Sequence, residues 1–175
     1  MKRLILEGFM GCGKSTCGKV LSNDFLIPFA DTDKMIEESE KRSINQIFNE
    51  NGEEYFRDLE TGLLHELSEN SRFPGGVVSL GGGMPVREEN RALIKKCGTV
   101  VYIKASADLL KERLRKRSAK RPMLKDSNID EKVDRLLSER EDIYMEIADH
   151  ILETDGKEIY QVVNELKKIY NKFVR

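Results

Sequence analysis

The chain has 175 residues, 39% hydrophobic and 35% charged, with a formal net charge of −1. That is long enough for one domain with a sizeable core, and too evenly charged to be drawn as a whole to nucleic acid or an anionic membrane. No apolar run approaches the ~20 residues of a membrane helix and no signal-peptide core opens the chain; Cys12, Cys17 and Cys97 lack C-x-x-C spacing, which argues against a disulfide framework or zinc site and for a reducing cytoplasm.

Short apolar runs alternate with longer amphipathic stretches, the pattern of βαβ units and a parallel sheet. Leu4-Ile5-Leu6 predicts a strand over 3–7 that feeds Gly8-Phe9-Met10-Gly11-Cys12-Gly13-Lys14-Ser15-Thr16. The run fits G-x-x-x-x-G-K-[ST], a loop whose backbone N–H groups cradle phosphates at the head of a helix, here 14–24. Gly11, Cys12, Gly13, Lys14, Ser15 and Thr16 are therefore candidate nucleotide-binding residues. Lys14 would reach the outer phosphates, and the Ser15 hydroxyl would ligate Mg²⁺.

A strand near 28–30 leads into Asp31-Thr32-Asp33 at the head of a helix over 33–41. One aspartate there is an ordinary helix cap. Two also suit phosphoryl transfer, with Asp31 near a metal ion and Asp33 near an acceptor hydroxyl that must lose its proton. Helices follow over 44–50 and 53–70. In the second, Arg57 borders a face made of Phe56, Glu60, Leu63, Leu64 and Leu67. It either pairs locally with Glu60 at i,i+3 or grips an anionic group on a small substrate.

A strand over 76–80 ends in Gly81-Gly82-Gly83, where missing side chains permit close approach of a ligand. After a helix over 87–96, the run Thr99–Lys104 predicts a buried strand. The helix over 106–117 opens a basic run, Lys111 to Arg121, with no interleaved aromatic residues for stacking on RNA. Pro122 ends it, and Arg121 sits on what reads as a lid. In the helix over 129–147, Arg140 falls in register with the apolar stripe of Val133, Leu136, Leu137, Ile143, Tyr144 and Ile147. It is either paired with a buried carboxylate or aimed into a cleft. A strand over 149–153 and a helix over 157–173 close the chain, the helix covering a sheet face with Ile159, Val162, Val163, Leu166, Ile169, Tyr170 and Phe173.

Taken in order, the loop 8–16, Asp31-Thr32-Asp33, Gly52-Glu53 with Phe56-Arg57 and Glu60, Gly81-Gly82-Gly83, Arg121-Pro122-Met123-Leu124, and Arg140 with Tyr144 resemble the shikimate kinases along nearly the whole chain. Cys12 stands where Ala or Ser is usual in that family, and Leu80 and Met123 are smaller departures. The resemblance implies an α/β fold: a three-layer, nucleoside-monophosphate-kinase-like P-loop kinase with a five-stranded parallel sheet flanked by helices. Residues 1–175 would form a single domain, with a substrate-binding helical region about 33–62 and a lid about 112–126. It implies ATP-dependent phosphorylation of the 3-hydroxyl of shikimate with Mg²⁺, by a cytoplasmic monomer with no nucleic-acid or membrane partner. Asp33, Lys14 and Arg121 would be catalytic, and Arg113 and Arg121 would join the loop in binding ATP. Asp33, Arg57, Gly81, Gly82, Gly83 and Arg140 would bind shikimate, and Ser15 and Asp31 would hold the metal. Kinases of the same fold acting on gluconate or a nucleoside monophosphate are the nearest rivals. A GTPase switch is not, because D-x-x-G and N-K-x-D are both absent from the sequence.

Overall fold

Burial on both faces sets the sheet. In the computed structural model, which describes residues 3–69, 72–73, 75–119 and 128–174, strands β1 (Arg3–Glu7) and β3 (Gly76–Ser79) are buried at every position. Parallel strands covered by helices on both sides have this character. With β2 (Phe29–Asp31), β4 (Thr99–Lys104) and β5 (His150–Glu153) they form one parallel sheet in the order β2-β3-β1-β4-β5. The central strand β1 sets Leu4 beside both Val77 and Thr99. Alternation along it sends Leu4 and Leu6 into one core, shared with Leu21, Val163 and Leu166, and Ile5 into a second, shared with Leu64, Leu67 and Ile94.

Helices α1 (Lys14–Phe25) and α7 (Ile159–Ile169) cover the first face; α3 (Ile44–Ser68) and α4 (Glu88–Cys97) cover the second. The remaining helices are α2 (Thr32–Glu40), α5 (Ala107–Ala119) and α6 (Ile129–Ile147). This is the three-layer α/β arrangement expected. The amino-terminal edge of the sheet is sealed by Arg3, which is 2% exposed and donates to the carbonyls of Phe73 (2.5 Å) and Cys97 (3.0 Å). Open polar groups are thus left to the carboxyl edge, where ligands of such sheets gather.

Three details differ from the sequence reading. The helices expected over 44–50 and 53–70 make one run, started by a Ser43–Gln46 capping box and kinked at Gly52, whose φ of 85° and ψ of 175° are not helical. Strand β2 begins one residue late because Pro28 has no N–H for the ladder, so the strand ends on Asp31 itself. Helix α7 is shorter than expected: Glu158 caps it with Gln161, and a wider π turn (Tyr170–Val174) follows Ile169. Ile159 is consequently 51% exposed, and Phe173, 37% exposed, stacks on His150 at 4.4 Å instead of covering the sheet. The lid segment beyond Ala119, with Arg121, lies outside the described residues.

Candidate active site

The loop between β1 and α1 turns so tightly that a Cβ on Gly8 would lie 2.6 Å from the Ile103 carbonyl oxygen, and Gly13 enters the helix at a φ of 110°. Lys14, buried, donates from Nζ to the Gly8 (2.7 Å) and Phe9 (3.0 Å) carbonyls, so its ammonium is held over the loop's own backbone. Arg113 reaches across from α5 and donates to the carbonyls of Cys12 (2.8 Å) and Gly11 (3.3 Å). The Cys12 side chain is packed in the core at 2% exposure, leaving only its main chain to a ligand. Beside the loop is a cleft of about 170 Å³ lined by Gly13, Thr16, Arg113, Thr154, Lys157 and Ile159.

At the head of α1 the Ser15 hydroxyl donates to Asp31 Oδ2 at 2.6 Å and lies 3.1 Å from the Ser79 hydroxyl. The other Asp31 oxygen accepts from the backbone N–H of Asp33 (3.2 Å), so Asp31 is at once the cap of α2 and the partner of Ser15. One carboxylate with two hydroxyls is a hard-oxygen set that fits Mg²⁺, an ion that keeps several waters and takes few protein ligands.

One turn away, Asp33 faces the strand-end glycines: a Cβ on Gly81 would fall 2.4 Å from Asp33 Oδ1 and 3.2 Å from Glu60 Oε1. The Gly81 N–H is held by the Thr32 hydroxyl at 2.8 Å. Burial, and then the charge of Asp31, push the Asp33 carboxyl above the ordinary range, while Lys14 and Arg57 act against them. Arg57 pairs with Glu60 (2.7 Å) and Glu53 (2.8 Å), and its guanidinium occupies the space in front of Gly83, where a Cβ would come within 2.5 Å of Nη1. Glu60 is 1% exposed; burial pushes it up to about 7 against the pull of Arg57, with Asp33 raising it further and Arg140 lowering it.

Arg140 is half-buried on α6, with no carboxylate in ion-pair contact among the described residues. It lies against Tyr144, whose hydroxyl donates to the Gly82 carbonyl at 2.5 Å. Asp33, Arg57 and Glu60 therefore gather at Gly81 and Gly83, and the fields of Lys14 and Arg140 reach Asp33 and Glu60 respectively. Of the two sequence readings of Arg57, the local pairing is what the structure shows, with the guanidinium standing in front of Gly83. Sequence reasoning assigned no part to Thr32 or Ser79, and it set Glu60 on the apolar face without its raised proton affinity. Position was the available signal for the first two, since each sits at a strand end between residues already singled out.

A family model described as shikimate kinase matches residues 10–171. Among curated relatives, the shikimate kinase of Dictyoglomus turgidum is 42% identical over 165 residues, covering 93% of this chain and 94% of that protein. The one from Bacillus cereus is 38% identical over 98% of this chain and 99% of its own. Among solved structures, shikimate kinase from Acinetobacter baumannii in complex with shikimate superposes with a TM-score of 0.85 at 33% identity, over 98% of this chain and 95% of that one. With identity of this order over almost its entire length, this chain belongs to the shikimate kinase family.

Proposed function

We propose that this chain transfers the γ-phosphoryl group of ATP to the 3-hydroxyl of shikimate, giving shikimate 3-phosphate on the route to chorismate and the aromatic amino acids. The observation that carries the reading is the adjacency of two half-sites: Asp31 caps the helix that carries Asp33 while bonding Ser15 of the phosphate loop. A nucleotide end and an acceptor end thus meet across one turn of helix.

In this reading, polyphosphate enters over the loop N–H groups and Lys14 exchanges the Gly8 and Phe9 carbonyls for phosphate oxygens. The cleft beside Arg113 and Ile159 receives the nucleoside. Ser15 and Asp31 would hold Mg²⁺, which when bound would neutralise charge on the phosphates. Arg57 and Arg140 clamp the acceptor's carboxylate, and Gly81 to Gly83 let its ring approach the backbone. The acceptor oxygen bonds to the γ-phosphorus as the bond to the bridging oxygen breaks. The hydroxyl proton passes to Asp33, whose raised proton affinity suits a base. Arg121 would close over the transferring group as part of a lid, excluding water. Three free, buried cysteines support a reducing cytoplasm, and the supply of every named group by one chain supports a monomer as the catalytic unit.

A coupled ADP-release assay with shikimate, gluconate and nucleoside monophosphates tests the acceptor. Only shikimate should support turnover; preference for another acceptor overturns the reading. Asp33→Asn should lose at least ~10²-fold in kcat while binding ADP normally. Near-normal turnover would remove Asp33 from the role of base.

A further inference from the structure

Glu7, the last residue of β1, has no part in the reaction above. Yet among the described residues it is the one side chain whose polar atoms are fully sealed from solvent without a hydrogen-bond partner; it is 1% exposed. A carboxyl left so is costly when neutral and far more costly when charged. Its place makes the cost informative. The peptide that follows it, Gly8, is the one whose carbonyl holds the Lys14 ammonium at 2.7 Å. The charged groups whose fields reach it are Lys14 from α1 and Lys95 from α4, which favour the anion, and Asp149 ahead of β5, which opposes it. From β4 and α6 come the hydroxyls of Tyr102, its partner in register, and Tyr144, both kept neutral by burial. β3 sets Ser79 and Leu80 nearby, neither of which titrates.

We propose that Glu7 is a positioning residue acting through Lys14. While the Glu7 carboxyl is neutral, the ammonium is free to leave the Gly8 and Phe9 carbonyls for a nucleotide's phosphates; once ionised, the carboxyl holds the ammonium back and sets a negative charge beneath the phosphate seat. The inference rests on the nucleotide half of the function above. Burial outweighs the neighbouring cations and pushes the Glu7 carboxyl up to about 9, so the neutral form prevails at neutral pH. A ligand that binds the neutral form alone has its apparent Kd raised by the inverse of the neutral fraction, about tenfold at pH 10. By reciprocity, bound nucleotide must raise the carboxyl's own midpoint.

The test is the Kd of ADP by calorimetry in EDTA, from pH 7 to 10, for wild type and Glu7→Gln. Titration of the lysines and tyrosines is common to both proteins and divides out of the ratio. Between pH 8 and 10 the wild type should weaken about tenfold more than the variant; superimposable profiles overturn the proposal. A ¹³C carboxyl titration of Glu7 in the wild type, with and without ADP, needs no variant to fold: the midpoint should move up, and an unmoved midpoint also overturns it. Failure of ADP to bind at any pH sinks the functional reading together with this one. Binding whose pH profile ignores Glu7 sinks this one alone.

Discussion

Replacing Gly83 by alanine tests whether Arg57 is a pinned clamp. Gly83 has φ −96° and ψ −11°, a conformation open to any residue, so the substitution strains no backbone. Its effect is steric. The new Cβ would stand 2.5 Å from Arg57 Nη1, 2.9 Å from Nη2 and 3.0 Å from Cζ, so the guanidinium must retreat by about 1 Å to reach ordinary contact. It cannot do so freely, because Glu60 and Glu53 hold it at 2.7 and 2.8 Å and Glu60 is buried. A misplacement of ~1 Å in a positioning group costs on the order of 10²-fold, or about 2.7 kcal/mol of transition-state stabilisation. The expected result is a fall of that size in kcat/KM for shikimate in the coupled assay, with the calorimetric Kd for ADP unchanged. Gly62→Ala is the control. It lies on α3 with Arg57, a Cβ there meets nothing within 4 Å, and the change should gain up to ~1 kcal/mol in stability with kcat/KM unaltered. Gly83→Ala with wild-type kcat/KM for shikimate would refute the reasoning.

Glu60→Gln addresses the buried acid. Because burial holds Glu60 up at about 7, the folded chain binds more protons than the unfolded one between roughly pH 4.5 and 7, and the stability that proton contributes is complete below this window and lost as pH rises through it. Glutamine has no proton to lose, so the unfolding free energy of the variant in urea should gain on the wild type from pH 4.5 to 7.5, by up to ~3 kcal/mol; parallel curves would show that Glu60 titrates normally. Asp31→Asn keeps a competent helix cap and removes the charge, so stability should change by under ~0.5 kcal/mol while the Mg²⁺ needed for half-maximal turnover rises at least ~10-fold. An unchanged Mg²⁺ requirement would take Asp31 out of the metal site. Arg140→Ala should raise the KM for shikimate ~10- to 100-fold and leave the ADP Kd alone; an unmoved KM would count against the carboxylate clamp.

The strands and their ends were legible because they rest on local signals: apolar runs, the phosphate loop and glycines at a strand's exit. Arg57 and Arg140 stood out because each broke the pattern of an apolar face. Glu60 was harder. Its place on the apolar face with Phe56 and Leu63 was legible, but the i,i+3 rule reads it as a simple partner of Arg57, and the packing of α3 against α4 with the approach of Gly81 is what shows how fully it is enclosed. Glu7 was invisible for a related reason: an acid ending an apolar run reads as the strand's exit to solvent, whereas β1 stays covered at its last residue. The end of α7 failed on backbone geometry. Apolar spacing continues through Phe173, but the wider turn rotates that residue off the face.

The central place of β1 also bears on how the chain comes together. Its neighbours on either side are β3 and β4, so Leu4 waits for Val77 and Thr99. No hairpin joins any of these strands, and every pairing must close a long loop before it is rewarded. At synthesis rates of about 5–20 residues per second, several seconds separate the making of the first strand from that of its nearest partner. The phosphate loop is thus made well before the strands that frame it.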